Sequence, residues 1–415
     1  MSKYKEILHI RNFGGIKDAE IELSRLNVFI GPQGTGKSVA AKLIYFFRQI
    51  VRTIGSDLAS IASARATKLR HHTVFGEFFP PESWPDDEFQ VSYEFGEVKV
   101  GVTHYPNRTS DVIYEYSPYF DELSEVANEA TRIATSEQRQ IPSVAARSAI
   151  ALKVSRDIDP VLGRLSYFVP EARGYISAED LLALVRDSRE VDPFMREFVT
   201  VYGPTRKRAE AILFNYEHRK RVSDIVQGDI SSNGDNLLVV AADGRRVPID
   251  LGSSGQRAAL PLILILLQNS QASMSNTDGT VFIEEPEAHL YPTGQREFTR
   301  ILADVSRLNL PDCLPQYVIT THSPYLLTAF NNLMYAGRIV RDKPKLKTQV
   351  DSILGGTPVI DPRNVRAYAF EGGAVRSIIE ADTELIHSGE LDSVSDDLGR
   401  EFDKLLDLAY AEDAA

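Results

Sequence analysis

The stretch GPQGTGKS, residues 31–38, restricts what this chain can fold into more than any other segment. It follows an apolar run at residues 26–30, which is typical of a buried strand, and precedes apolar residues at helical spacing over residues 38–54. A glycine-rich loop between a strand and a helix lets backbone N–H groups converge on phosphates, and the helix N-terminus adds partial positive charge. The spacing therefore predicts a nucleotide phosphate site, where Lys37 bridges the terminal phosphates and Ser38 offers its hydroxyl to Mg²⁺.

A second stretch, TVFIEEPEAHLYP at residues 280–292, places acids at the end of another apolar strand. Ligands bind at the carboxyl edge of open α/β sheets, where neighbouring carboxylates repel one another unless a cation offsets the cost. Taken alone, the stretch also fits a solvated acidic turn between a strand and a helix. Beside a phosphate loop, Glu284 suits the metal and Glu285 suits the attacking water. Glu287 follows Pro286 and is better explained as the start of the next helix, where the dipole favours an acid.

Two further motifs complete an ordered set along the chain. LGSSGQR, residues 251–257, precedes a predicted helix, and THSPYLL puts His322 just past a predicted strand. With these four segments the sequence resembles the ATP-binding-cassette superfamily, which carries a Walker A loop, a serine-glycine signature, a Walker B strand and a switch histidine in this order. The resemblance implies that Ser253 and Gly255 close on the γ-phosphate bound by the opposite subunit. It also implies that His322 contacts this phosphate and helps to hold the catalytic Glu285.

The resemblance gives a complete set of expected site residues. It assigns catalysis to Glu285 and His322, and Mg²⁺ binding to Ser38 and Glu284. Its nucleotide-binding residues are Gly31, Gly34, Gly36, Lys37, Ser38, Ser253 and Gly255. The expected cofactors are ATP and Mg²⁺.

Two departures limit the match, and one further position stays open. Glu284 stands where Asp is usual, and the glutamine that senses the metal in many cassettes cannot be placed, with Gln90 only a guess. His289 occupies the position of a loop that crosses the dimer interface, although a histidine at a helix entry explains it equally well.

Within the superfamily, RNFGGIKDAEIEL, SSGQ and IEEPEAHLYP resemble the branch of RecF, Rad50 and the overcoming-lysogenisation-defect nucleases. YFVPEARG, residues 167–174, resembles a segment of stand-alone bacterial ATPases in phage-defence operons such as those of Septu, PARIS and retron systems. Arg173, within this segment, can be interpreted as a functional residue or, equally well, as part of a structural ion pair.

The fold class expected from these motifs is α/β: a P-loop core of the cassette type, with a mixed, largely parallel sheet, flanking helices and an antiparallel β subdomain, plus a mostly helical insertion. Residues 1–118 form the N-terminal lobe, with a helical stretch at 56–72. Residues 119–225 form the insertion, a surface for a partner or a nucleic acid. Residues 226–415 form the C-terminal lobe, which carries the signature, the Walker B strand and the switch histidine.

Charge and cysteine content narrow the class of protein. The net charge of −12 argues against a protein whose main surface binds nucleic acid. The basic clusters at 205–208 and 218–221 are better explained as solvated helix faces. The single cysteine, Cys313, excludes an internal disulfide. The most apolar run of the sequence contains Pro261 and is too short to span a bilayer. We therefore expect a cytoplasmic protein without a membrane partner.

The function that fits these features is an ATPase that dimerises around ATP, as a homodimer or a higher even oligomer. It would regulate a separately encoded effector, a nuclease or toxin, in bacterial anti-phage defence, with DNA or a phage-derived molecule as a candidate trigger. We expect no nuclease activity in the chain itself. The alternative is a repair ATPase resembling RecF that acts as an ATP-dependent DNA clamp. A nucleotide-binding scaffold that barely hydrolyses ATP is a third reading, which Glu285 disfavours.

Overall fold

The computed structural model describes residues 5–60, 75–106, 112–137, 141–157, 165–175, 191–214, 216, 219–233, 236–273, 279–306, 315–387 and 400–404. The first helix extends to Ser60, and the rest of the helix expected over 56–72 lies outside the described residues.

Eleven strands form one continuous sheet, in the order β6-β5-β4-β1-β2-β14-β13-β3-β12-β11-β7. These strands are β1 (Glu6–Phe13), β2 (Ile16–Leu23), β3 (Leu26–Ile30), β4 (Phe89–Phe95), β5 (Val98–His104), β6 (Val112–Tyr116), β7 (Ser166–Val169), β11 (Thr280–Glu284), β12 (Gln316–Thr321), β13 (Val365–Glu371) and β14 (Ala374–Ser377). A separate sheet contains β8 (Asp229–Asn233), β9 (Asn236–Val240) and β10 (Arg246–Pro248).

One half of the main sheet is parallel. Strands β7, β11, β12, β3 and β13 run in the same direction, with Ile283 opposite Val169 and Ile319, and Ile30 opposite Thr321. Their carboxyl ends therefore meet at one edge, as expected for a ligand-binding α/β sheet.

The other half is an antiparallel arm of β2, β1, β4, β5 and β6. The sequence predicts strands over residues 88–118, and β4, β5 and β6 confirm them. This arm continues the sheet of the parallel half through β14, which pairs with β13 on one side and with β2 on the other. The mixed sheet and its flanking helices confirm the expected fold class.

Helices cover both faces of the sheet. They are α1 (Lys37–Ser60), α2 (Tyr119–Glu137), α3 (Pro142–Asp157), α4 (Pro193–Lys207), α5 (Ala209–Phe214), α6 (Arg219–Val226), α7 (Ser254–Ser273), α8 (Pro292–Ser306), α9 (Pro324–Asp342) and α10 (Lys347–Leu354). Among the described helices, none is both long enough and apolar enough to cross a bilayer.

Strand β3 shows why the parallel strands read as unbroken apolar runs. Phe29 packs into the core with α1 and the antiparallel arm, whereas Val28 and Ile30 pack into the core on the other face, with α7, α8 and α9. A strand buried on both faces has no polar side, so the sequence shows no alternation.

The region expected to be an insertion, residues 119–225, holds helices α2 to α6 and also strand β7, which pairs with β11 in the main sheet. The segment around β7 thus belongs to the sheet that carries the motifs. The domain boundaries themselves stay a prediction.

Candidate functional site

The loop between β3 and α1 needs glycine at two positions for steric reasons. Gly31 has φ +151°, and a Cβ there would lie 2.1 Å from the carbonyl oxygen of Phe370. Gly36 has φ +96°, and its Cβ would lie 2.8 Å from the carbonyl oxygen of Gly14. Any other residue would collide with neighbouring backbone, so the glycines fix the loop's close approach to β13 and to the β1–β2 turn.

Lys37 is the first residue of α1 and is buried, with 4% of its surface exposed. Its Nζ donates to the carbonyl oxygens of Gly31, at 2.8 Å, and Pro32, at 2.7 Å. Burial lowers the pKa of the Lys37 ammonium, and the carboxylates of Glu285 and Glu287 oppose this shift. The Lys37 side chain thus hydrogen-bonds to the backbone of its own loop and lies within reach of any phosphate that the loop binds.

Glu284 is the last residue of β11 and is only 6% exposed. Its carboxylate has two distant neighbours: the N–H of Glu171, 3.4 Å from Oε2, and Nζ of Lys42, 3.9 Å from Oε1. A buried carboxylate with such long contacts keeps lone pairs for a cation, and oxygen ligands are those that Mg²⁺ prefers.

The half-buried Ser38, in the first turn of α1, is the other expected ligand. In the described part of the chain no group of three His, Cys, Asp or Glu side chains could hold a metal. Ser38 and Glu284 would supply two oxygen ligands, which leaves the rest of an Mg²⁺ shell to phosphates and water, as is usual for this ion.

Glu285, His322 and Lys37 form a chain of polar contacts. Oε1 of Glu285 lies 2.7 Å from Nε2 of His322, and Nδ1 of that ring lies 3.5 Å from Nζ of Lys37. A neutral histidine protonated on Nε2 suits both neighbours, because it donates to the carboxylate and can accept from the ammonium. Burial, and then repulsion from the Glu171 carboxylate, raise the pKa of Glu285, while His322 opposes the shift.

Glu287 lies in the turn after β11 and does not open a helix, because α8 begins five residues later at Pro292, so the helix-start interpretation is wrong. Its Oε1 accepts a hydrogen bond from the hydroxyl of Thr321 and another from the backbone N–H of His322, both at 2.6 Å. Its Oε2 is buried and has no hydrogen-bond partner within the described chain. The carboxylate therefore fastens the turn that carries His322.

The signature stretch forms the start of α7. Ser253 and Gln256 make reciprocal bonds: the N–H of Ser253 donates to Oε1 of Gln256 at 2.9 Å, and the N–H of Gln256 donates to Oγ of Ser253 at 3.3 Å. This is a capping box, which gives the serine a structural reason to be present. A Cβ on Gly255 would lie 2.8 Å from the carbonyl oxygen of His289, so the helix start packs on the turn after the acidic strand.

The expected residues fall into two groups in space. The phosphate loop, Glu284, Glu285 and His322 lie together at the carboxyl edge, whereas Ser253 and Gly255 lie beside the exposed, positive-φ His289. Gln90 is on β4 opposite Arg11, in the antiparallel arm.

Sequence reasoning missed two neighbours of the acids and left a third open. Glu171 follows the carboxyl end of β7, so the strand-end rule that found Glu284 could have found it. Lys42 lies on α1, and only the fold brings it to Glu284. For Arg173 the sequence allows two interpretations, a functional role and a structural ion pair. Its side-chain hydrogen bonds within the described chain all go to backbone carbonyl oxygens.

A family model described as "AAA domain, putative AbiEii toxin, Type IV TA system" matches residues 26–328. Among solved structures, the chain is similar to an SmcHead bound to the C-winged helix domain of ScpA, with 13% identity, a TM-score of 0.41, and coverage of 90% of this chain and 97% of that one. It is also similar to the SMC head domain from Thermotoga maritima, with 13% identity, a TM-score of 0.37, and coverage of 90% and 98%. For an Smc head domain with an extended coiled coil, bound to the C-terminal domain of ScpA derived from Pyrococcus furiosus, the identity is 13%, the TM-score 0.39, and the coverage 91% and 96%.

Proposed function

The chain belongs to this family of AAA ATPase domains, and we propose that it binds ATP with Mg²⁺ in the loop at residues 31–38 and hydrolyses it with Glu285 as the base. Lys37 exchanges its loop carbonyls for the terminal phosphates. Ser38 and Glu284 hold Mg²⁺, which neutralises developing negative charge when bound. His322 contacts the γ-phosphate and orients Glu285.

The observation that carries this proposal is the chain of contacts from Lys37 through His322 to Glu285, at 3.5 and 2.7 Å. It links a phosphate-binding cation to a carboxylate of raised pKa through one imidazole ring. A base must lie within hydrogen-bond reach of the proton it removes, and this carboxylate lies beside the loop that would present the phosphate.

Two substitutions separate binding from hydrolysis. Lys37→Ala removes a phosphate contact and should weaken ATP binding, whereas Glu285→Gln keeps the shape and removes the base. Glu285→Gln should therefore bind ATP like the wild type and lose about 100-fold or more in kcat, within the range for a general base. Glu82→Gln, in the short turn at Pro81–Ser83, is the matched control. Wild-type turnover by Glu285→Gln would refute the assignment and turn attention to Glu284 or Glu287.

We propose further that the ATPase is a dimer whose subunits share each site, with Ser253 and Gly255 completing the site of the partner. Large apolar side chains next to the motifs support such a face: Leu251, Tyr291 and Tyr325 are 77%, 78% and 59% exposed. The two tyrosines are of the aromatic type that is enriched at protein interfaces, and the three residues flank the signature, the acidic turn and the switch histidine.

The last part of the proposal concerns the biological role: control of a separately encoded nuclease or toxin in anti-phage defence. It is supported by the family description, which associates these domains with a toxin system. Purified chain should hydrolyse ATP and leave DNA and RNA uncut with Mg²⁺ or Mn²⁺. Toxicity should appear only when a neighbouring gene is co-expressed. Cutting that disappears with a point mutation in this chain would contradict the proposal, and tight ATP-dependent DNA binding would favour the clamp alternative.

A further inference from the structure

Arg173 is a buried cation whose hydrogen bonds all serve the backbone. It lies in the single turn Glu171–Tyr175 after β7 and is 1% exposed. Its Nη1 donates to the carbonyl oxygens of Glu284, at 2.7 Å, and Pro170, at 3.1 Å. Nη2 donates to the carbonyl oxygen of Glu285 at 2.9 Å, and Nε donates to that of Ala258 at 2.8 Å. One planar group thus joins three elements: the β7 turn, the acidic turn and helix α7.

This arrangement is costly for stability alone. Burying a guanidinium without a bonded carboxylate forfeits its hydration, and an apolar side chain could fill the same volume more cheaply. Desolvation lowers the pKa of Arg173 to about 10, so the group remains charged at neutral pH. Unlike an apolar side chain, the guanidinium supplies a rigid set of hydrogen-bond donors at fixed angles.

The backbone that Arg173 holds is in an unusual conformation. Glu285 has φ +41°, a region that costs energy for any residue other than glycine. Its N–H is fixed by the carbonyl oxygen of Thr320 at 2.9 Å, and its own carbonyl is fixed by Arg173. With both ends of the residue held, the side chain is directed to Nε2 of His322.

The same side chain connects this turn to the signature helix. Ala258 lies in the second turn of α7, which begins at Ser254. Gly174 packs so closely on α7 that a Cβ would lie 3.2 Å from the Cα and N atoms of Ala258. Movement of α7 would therefore be passed through Arg173 to the backbone of Glu285.

We propose that Arg173 is a positioning residue: it sets the orientation of the Glu285 carboxylate and couples it to the position of helix α7. The inference rests on the proposed role of Glu285 as the base, and adds a residue that contacts neither nucleotide nor metal. Docking of a partner subunit on the start of α7 would then tighten the geometry of the base.

The test uses the full chain with the Arg173→Lys variant, which keeps a cation and loses the planar fork. ATP affinity, measured with a non-hydrolysed analogue, should stay within about threefold, while kcat falls by about 10- to 100-fold, the loss typical of a misplaced catalytic group. The matched control is Arg221→Lys, because Arg221 is also buried but pairs with Asp304 in α8. Its melting temperature should drop, whereas its kcat per folded molecule should remain within about twofold of the wild type.

A second variant keeps the inference testable if Arg173→Lys does not fold. Gly174→Ala leaves Arg173 in place and presses a methyl group against Ala258. It should lower kcat and spare ATP affinity. Wild-type kcat in Arg173→Lys, together with an inactive Glu285→Gln, would overturn the coupling and leave the proposed function intact. Full turnover by Glu285→Gln would instead overturn the proposed function. Equal losses of kcat in Arg173→Lys and Arg221→Lys would show that Arg173 stabilises the fold and does not position Glu285.

Discussion

Glu287 illustrates how a residue can be recognised in the sequence for the wrong reason. From the sequence alone, a carboxylate after a proline is explained by a helix start, where the dipole favours an acid, but α8 begins only at Pro292. In the fold, its Oε1 binds the hydroxyl of Thr321 and the N–H of His322 across the sheet edge. Its position along the chain is near Glu285, but its effect is on the histidine.

Removing this carboxylate should therefore act through His322. Glu287→Ala removes the acceptor of two part-buried donors, the Thr321 hydroxyl and the His322 N–H, and frees the turn after β12. We expect kcat for ATP to fall by about tenfold or more, with ATP affinity nearly unchanged, whereas Glu287→Gln keeps one acceptor oxygen and should retain most of the activity. The two variants can be compared by steady-state kinetics, and equal kcat values for Glu287→Ala and the wild type would remove the turn from the mechanism.

A site residue can be predicted from the sequence when it lies within a motif. The phosphate-loop residues, Glu284, Glu285 and His322 could be singled out because each lies at a fixed distance from a strand end. Lys42 could not, because it lies within α1 and only the fold brings it to Glu284. Glu171 follows the carboxyl end of β7, so its place at the sheet edge could have been inferred, but its contact with Glu284 depends on how the strands pair. A linear sequence contains the strands but not their order in the sheet.

At the scale of elements, β7 is the clearest case. Its four residues, Ser166–Val169, lie in a stretch that reads as mostly helical, and the strand is too short to show a pattern of its own. The paired neighbour β11 decides its conformation, through tertiary hydrogen bonds that propensity does not reveal. Strands β3, β11 and β12 were predictable because their burial on both faces leaves an uninterrupted apolar run.

The helical segment α4 to α6 is fastened to the signature stretch at two points. Arg206 in α4 makes a two-bond fork to Asp250, with both bonds at 2.8 Å, and Asp250 lies three residues before Ser253. Nε2 of Gln256 donates to the carbonyl oxygen of Val226, the last residue of α6, at 2.7 Å. One of the basic residues that looked like a solvated face in the sequence, Arg206, is thus a buried structural partner of the signature loop.

Asp250→Asn should lower stability measurably, because it leaves the buried Arg206 without its charged partner. We expect a loss of about 2 kcal/mol in the free energy of unfolding, as for a hydrogen bond to a charged group. Asp243→Asn breaks an exposed pair with Arg245 and should leave the free energy of unfolding essentially unchanged, because solvent screens the pair. Denaturant melts of both variants provide the comparison, and equal midpoints would show that the fork at Asp250 contributes nothing.

For the whole molecule, the main constraint is that, among the described residues, no hydrogen bond or ion pair joins Ser253 to Lys37, Glu285 or His322. His322 contacts both Lys37 and Glu285, whereas Ser253 bonds with Gln256 and with Arg257, whose N–H donates to the Ser253 carbonyl at 3.0 Å. The exposed Ser253 is thus presented at the surface. If the signature acts on a nucleotide, the nucleotide of a second copy is the natural target, and each dimer would hold two composite sites.

Mixing two inactive variants tests the shared site directly. Lys37→Ala should prevent ATP binding in its own loop, and Ser253→Arg should block closure onto the partner without affecting ATP binding to its own chain. A mixed dimer keeps one site with Lys37 from one chain and Ser253 from the other. A one-to-one mixture should recover about a quarter of wild-type turnover, since half of randomly paired dimers are mixed and each has one intact site of two. Each variant alone should remain inactive at the same total concentration. Absence of recovered turnover, with mixed dimers demonstrated by differential tagging, would mean that Ser253 does not complete the partner's site.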